Sequence, residues 1–133
     1  MATKKVSYVG APGVFALEEE CKKINDAFGD YGCFLVGSAL NSPNHRDVDV
    51  RFIMEDDEFH ALFPGLSRSE IERGAAIWEF DPRWTLINTS ISERMSRITR
   101  LPIDFQIHPM TWANARNDGP RHALGLRFTT DSK

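Results

Sequence analysis

The sequence predicts an α/β (α+β) domain in which a small mixed β-sheet is covered by helices, and three patterns lead there. Val14, Leu17, Cys21, Ile24 and Phe28 recur at steps of three and four, which is one apolar stripe of an amphipathic helix. Cys33 to Val36 is a short apolar run that stops at Gly37-Ser38, and Asp47 to Met54 alternates strictly after it. Pro102 to Pro109 alternates again, so strand returns late in the chain. Helix, strand, glycine turn, strand, helices, strand is the resulting order.

The chain has 133 residues, enough for one domain with a real core and too few for two comfortable ones. A single domain is expected, its core spanning about 13–109, with 110–133 a loop-like tail. Hydrophobic content of 41% and charged content of 26% are those of a globular chain and argue against disorder. The net charge of −3 argues against a protein that grips long nucleic acid through a general basic face. No apolar run approaches the roughly 18 residues a membrane helix needs, and MATKKVSYVGAPG lacks the apolar centre of a signal peptide, so no membrane association and a cytoplasmic location are expected. Cys21 and Cys33 lie among apolar neighbours and read as reduced core residues.

Met1 to Gly10 reads as a frayed lead or a small edge strand. The first helix follows Pro12-Gly13 and stops at Gly29; its Glu18 and Glu19 are placed to pair with Lys22 and Lys23, leaving the Glu run a solvated face. After the second strand, Asp56 or Asp57 can cap a helix through Phe59, Leu62 and Phe63. Ser67-x-x-Glu70 is a capping box for a helix carrying Ile71, Ala75 and Trp78. Asp81-Pro82 is a good opening for a longer helix through Trp84, Ile87, Ile91, Met95 and Ile98, with Pro102 as the stop, while a second capping box at Ser90-x-x-Glu93 offers a later start. Arg83, Arg94, Arg97 and Arg100 form its outward face. In the tail, Arg116, Arg121, His122 and Arg127 are basic, and Trp112 reads as an anchor before a base-stacking platform. His45, His60, His108 and His122 have no zinc-binding spacing.

Chemistry concentrates between Cys33 and Met54. On the second strand Val48, Val50, Phe52 and Met54 share one face, while Asp47, Asp49 and Arg51 share the other. Carboxylates two residues apart on a strand lie roughly 7 Å apart and repel by about 2 kcal/mol at an effective dielectric near 20. Something cationic is needed there: Arg51 in part, or Mg²⁺, a hard ion that takes oxygen ligands. The plainer alternative is an Asp-x-Asp on a solvated strand face. Gly37 allows close backbone approach and Ser38 offers a hydroxyl and an N–H, which suits a phosphate; the pair also describes any turn followed by a cap. Asp104 shares its strand face with Gln106 and His108, so a third acid joins the set if the two strands are neighbours.

Gly37-Ser38, then Asp47-x-Asp49, then Asp104 within an apolar strand resembles the nucleotidyltransferase superfamily typified by DNA polymerase beta, over about 33–108. The resemblance implies the polymerase beta-like nucleotidyltransferase fold and a metal-dependent transfer of a nucleoside monophosphate from an NTP to an acceptor hydroxyl, with release of pyrophosphate. It implies that Asp47, Asp49 and Asp104 are the catalytic, metal-holding residues of a two-metal site for Mg²⁺ or Mn²⁺, and that Gly37 and Ser38 hold phosphates. Small members often follow Gly-Ser with Arg and a second Gly, where this chain has Ala39-Leu40-Asn41-Ser42. Arg46 and Arg51 are the candidate replacements for the missing cation, with His45 beside them. The acceptor stays open among protein, RNA end and small molecule, with specificity expected from loops, the tail or a partner chain. The alternative is a catalytically silent binding or regulatory module of the same fold acting with a partner protein.

Overall fold

The computed structural model describes residues 9–29, 32–37, 47–116 and 121–125. Most of the lead, together with Ser38, His45 and Arg46, lies outside the described residues. The elements run α1 (Gly13–Phe28), β1 (Gly32–Val36), β2 (Val48–Met54), α2 (Asp56–Leu62), α3 (Arg68–Glu72), a 3₁₀ turn (Trp78–Phe80), α4 (Pro82–Thr99), β3 (Ile103–Pro109), α5 (Met110–Arg116) and β4 (His122–Leu124). The result is a mixed α+β arrangement around a four-stranded sheet of order β3-β2-β1-β4. β1 is antiparallel to β2 and to β4, while β2 and β3 run parallel. Among the described residues no helix is long and apolar enough to cross a membrane.

Alternation sets the sheet's two faces as expected. Val48, Val50, Phe52 and Met54 of β2 and Ile103, Phe105 and Ile107 of β3 are buried, together with Leu17 and Cys21 of α1 and Trp84 and Met95 of α4. Burying a side chain of this size contributes about 1.5–3 kcal/mol relative to leaving it exposed, so the face is a strong constraint on strand orientation. Phe28 at the end of α1 meets Phe52 with ring centroids 5.5 Å apart, which ties the helix to this face. Cys21 and Cys33 are free thiols with no solvent exposure. Asn25 links three elements, donating to the Leu124 carbonyl and accepting from the Cys33 N–H, both at 3.0 Å.

Helix α4 opens where Asp81-Pro82 places it, the Asp81 carboxylate accepting from the Trp84 N–H at 2.9 Å. Its Trp84, Asn88, Ser92 and Ser96 follow one another four residues apart and lie against β3, the edge strand. Ser96 Oγ accepts from the Ile103 N–H, Ser92 Oγ from the Phe105 N–H, and Asn88 Oδ1 from the Ile107 N–H. The Trp84 indole donates to the Ile107 carbonyl at 3.0 Å. A sheet edge that would expose unpaired backbone groups is thereby closed by side chains.

Several expectations are corrected. The tail is not loop-like where described, because Met110–Arg116 is helical and His122–Leu124 adds a strand beside β1. Its capping partner is remote: the Thr111 N–H donates to Asp56 Oδ1 at 3.0 Å, a contact 55 residues away in sequence. The Glu run is not wholly solvated, since Glu20 is buried and paired to Arg94 of α4 at 2.8 Å. Burial pushes the Glu20 carboxyl up, but hydrogen bonds and charge from Arg94 and Lys23 outweigh that and hold it below its ordinary range. Lys22 pairs with Asp26 and Lys23 with Glu20, instead of with Glu18 and Glu19. Helix α3 keeps the Ser67 cap but stops at Glu72, short of Ala75 and Trp78, since Gly74 turns into a positive φ of 100°.

Candidate functional site

β2 and β3 are parallel neighbours in a register that sets Asp49 directly beside Asp104. Both carboxylates stand on the sheet face opposite the core and are partly exposed. Asp47 precedes β2 and is exposed at its head. The farther half of this face is covered: Ile53 and His108 are buried, and Trp112 and Ala113 of α5 lie over them. The open half is therefore the half that carries the acids.

Gly37 ends β1 at φ +79°, a conformation that favours glycine, and a Cβ built there would lie 2.5 Å from Asp49 Oδ2. Its backbone and the Asp49 carboxylate occupy adjoining space that no other residue type leaves open. Burial raises the Asp49 pKa; the Arg51 charge lowers it, and the charges of Asp104 and Asp47 raise it, for a net upward shift. The acids are thus close enough to feel one another.

Arg51 spans the pair. Its guanidinium lies 3.3 Å from Asp104 Oδ2 and 3.9 Å from Asp49 Oδ1, and donates to the backbone carbonyls of Asp104 at 2.7 Å and Val50 at 3.1 Å. Four acceptors around one half-buried cation make this the electrostatic centre of the face. Gln106 donates its amide to both Asp104 oxygens at 3.4 Å and presents its Oε1 to His108 Nε2 at 2.9 Å. That orientation makes His108 the donor through Nε2. Stacked on Trp78 and edge-on to Trp112, His108 has its pKa lowered to about 3, first by burial and then by the Arg51 charge.

Two cavities flank the Arg51–Asp104 pair, one lined by Arg51 and the other by Asp104. One, of about 270 Å³, is lined by Gly37, Arg51, His108, Trp112 and Arg116. The other, about 560 Å³, lies between β3 and α4 and includes Asp47 and Asp104 in its walls. Arg116 had no assigned role in the sequence, where it is one basic residue among several in the tail. The structure carries it to the Gly37 side, over the Trp112 ring at 5.6 Å, with its guanidinium donating to the Gly74 carbonyl. Trp112 is an anchor as expected, its indole donating to the Gly74 carbonyl at 3.2 Å.

Asp49, Asp104, Gly37 and Arg51 are therefore brought together, while Ser38 and Arg46 lie outside the described residues. Among the described residues no three acid, histidine or cysteine side chains converge in a geometry that could hold a metal ion. The donor chemistry of Asp49 and Asp104 suits a hard cation, oxygen ligands level across adjacent strands, and the cation lying against them is the Arg51 guanidinium. Two of the α4 arginines are engaged elsewhere: Arg94 holds Glu20 and Arg83 reaches the Leu62 carbonyl. Comparison with protein-family models, with curated proteins and with solved structures found no match.

Proposed function

We propose that the chain is a metal-dependent nucleotidyltransferase of the polymerase beta-like superfamily, moving a nucleoside monophosphate from an NTP to an acceptor hydroxyl with release of pyrophosphate. The observation that carries the reading is the in-register pair Asp49 and Asp104 on parallel strands, with the Gly37 backbone against Asp49. The element order supports it, since helix, strand, glycine turn, strand, helices and strand around a small mixed sheet is the architecture that the resemblance implies.

The cavity beside Gly37 carries Arg51 and Arg116 and suits a polyanion, so the triphosphate is assigned to it, with Ser38 and Arg46 as further candidate contacts. The resemblance makes Asp47, Asp49 and Asp104 the residues that would hold Mg²⁺ or Mn²⁺, which would neutralise phosphate charge, but the three carboxylates do not converge on one ion position here, so they would have to draw together around the ion. Arg51 keeps the two carboxylates aligned in the absence of any other cation. Phosphoryl transfer needs positioning and charge neutralisation more than covalent chemistry, and this face offers both. The test incubates the protein with each labelled NTP and Mg²⁺ or Mn²⁺ in cell extract. Label transfer lost in Asp49→Asn and Asp104→Asn is expected; NTP binding with the same Mg²⁺ dependence in the intact protein and in the Asp47→Asn and Asp49→Asn variants would overturn the assignment.

One observation favours a second reading. Arg51 already supplies a cation to Asp49 and Asp104, as a catalytically silent module acting with a partner protein would require. In that case millimolar Mg²⁺ leaves the thermal stability of the intact protein unchanged, with or without NTP.

A further inference from the structure

We propose that Arg51 is an exchangeable cation. In the free protein its guanidinium holds the carboxylates of Asp49 and Asp104; when those carboxylates close on a divalent ion, Arg51 passes to the triphosphate in the cavity beside Gly37. Ion and triphosphate then each tighten the binding of the other. The inference rests on the nucleotidyltransferase reading and adds to it how the site is controlled.

Arg51 has two holds, and the one on the acids is the looser. Its Nη1 donates to the backbone carbonyls of Asp104 at 2.7 Å and Val50 at 3.1 Å. Its Nη2 faces the carboxylates, 3.3 Å from Asp104 Oδ2 and 3.9 Å from Asp49 Oδ1. A charge-assisted bond between such groups closes to about 2.7–2.9 Å. The backbone therefore keeps the guanidinium at the site while its grip on the carboxylates is open to competition. Mg²⁺ takes oxygen ligands at about 2.0–2.1 Å and so needs the same lone pairs that Nη2 faces. Among the described residues no three side chains converge on an ion position, and the cation set against Asp49 and Asp104 is this guanidinium. Its departure is what frees the two carboxylates to draw together.

The place it passes to is already formed. The Arg51 side chain is only 16% exposed, so bulk solvent is not its alternative partner. It lines the cavity of about 270 Å³ together with Gly37, His108, Trp112 and Arg116. Among the described residues that line this cavity there is no Asp or Glu, so an anion there meets Arg51 and Arg116 without an opposing carboxylate. The planar guanidinium matches two phosphate oxygens at once. One side chain thus borders both the acids and the anion cavity. A divalent ion alone would leave Arg51 without an anion, and a triphosphate alone would draw it from acids left uncompensated. Each binds less tightly by itself than with the other, and such coupling is reciprocal.

The probes are Mg²⁺ and inorganic triphosphate, which leaves the base out of the question. Calorimetry measures Mg²⁺ alone, triphosphate alone and triphosphate with saturating Mg²⁺ on the full-length protein and on its Arg51→Gln and Arg51→Lys variants. Complexation of the ion by triphosphate in solution is common to all three proteins and cancels in the comparison. Relative to the intact protein, Arg51→Gln is expected to bind Mg²⁺ alone about threefold more tightly and triphosphate with Mg²⁺ about tenfold more weakly. Arg51→Lys should fall between the two on both counts. In ¹⁵N spectra of the intact protein, the Arg51 Nε–H resonance, assigned through bonds from its own backbone amide, should move with Mg²⁺ and triphosphate together to a position that neither gives alone. A resonance that the two together leave where the free protein has it overturns the exchange. So does tighter Mg²⁺ binding by Arg51→Gln with unchanged affinity for triphosphate with Mg²⁺, which would mark Arg51 as a fixed counter-ion. In both cases transfer of label from NTP, lost in Asp49→Asn, keeps the transferase reading standing. Absence of Mg²⁺-dependent triphosphate binding by the intact protein overturns both.

Discussion

Ser92 Oγ takes both backbone groups of Phe105, accepting from its N–H at 2.9 Å and facing its carbonyl at 3.3 Å. A single hydroxyl on α4 so replaces one rung of the missing neighbour strand at the sheet edge. Ser92→Ala would leave both groups without a protein partner, and a loss of about 1–3 kcal/mol in unfolding free energy is expected by chemical denaturation. Hydrogen exchange at the Phe105 amide should quicken at the same time. A loss below about 0.5 kcal/mol would mean that water satisfies the edge.

Gly37→Ala combines a strained backbone with a collision against Asp49 Oδ2. The left-handed conformation alone costs an L-residue roughly 1–2 kcal/mol. The variant should lose at least that much stability, and NMR titration should register an altered Asp49 pKa. A variant with unchanged stability and an unchanged Asp49 titration would contradict the close approach of Gly37 to the acid.

Arg51→Gln removes the cation from between Asp49 and Asp104 and deprives two carbonyls of their donor. Stability should fall by about 1–3 kcal/mol at neutral pH. Because the Arg51 charge lowers the Asp49 pKa, that value should rise further in the variant. Mg²⁺ should then raise the melting temperature more in the variant than in the intact protein, since the acids have lost their resident cation. An equal response in the two proteins would place divalent ions elsewhere.

His108 makes stability depend on acid. An unfolded histidine titrates near a pKa of about 6.5, whereas the folded value is about 3. Its contribution is complete above about pH 6.5, where both states are neutral, and is lost as pH falls because the unfolded chain takes up a proton that the folded chain refuses. Each unit across that window removes about 1.4 kcal/mol. Asp49 acts in the opposite sense: its raised pKa lets the folded chain bind a proton first, which favours the fold on acidification. Denaturant titrations from pH 7 to 4 should slope less steeply for His108→Gln than for the intact protein. Superimposable slopes would show that the imidazole becomes charged inside the fold.

Local patterning alone determined strands β1 to β3, the faces of β2 and β3 and two of the helices, but not β4. A period of two along 48–54 and 103–107 leaves one way to bury the apolar set, and α1 follows from a stripe at steps of three and four. The Asp81-Pro82 opening was legible as one of two starts, because a cap acts on the residues just after it, and the structure takes it over Ser90-x-x-Glu93. Asp49 and Asp104 could be named as candidates for the same reason, as acids on the polar side of apolar strands. That they stand side by side was decided by tertiary structure, since the register of two strands more than 50 residues apart depends on how their buried faces and α4 pack together. The same holds for the Trp84, Asn88, Ser92 and Ser96 row, which the apolar stripe of α4 leaves aside and whose partners are backbone groups of β3. Arg116 lies farther still from local rules. Helix α5 is capped by Asp56, and so the cation reaches the Gly37 side through a contact that no short stretch of sequence encodes.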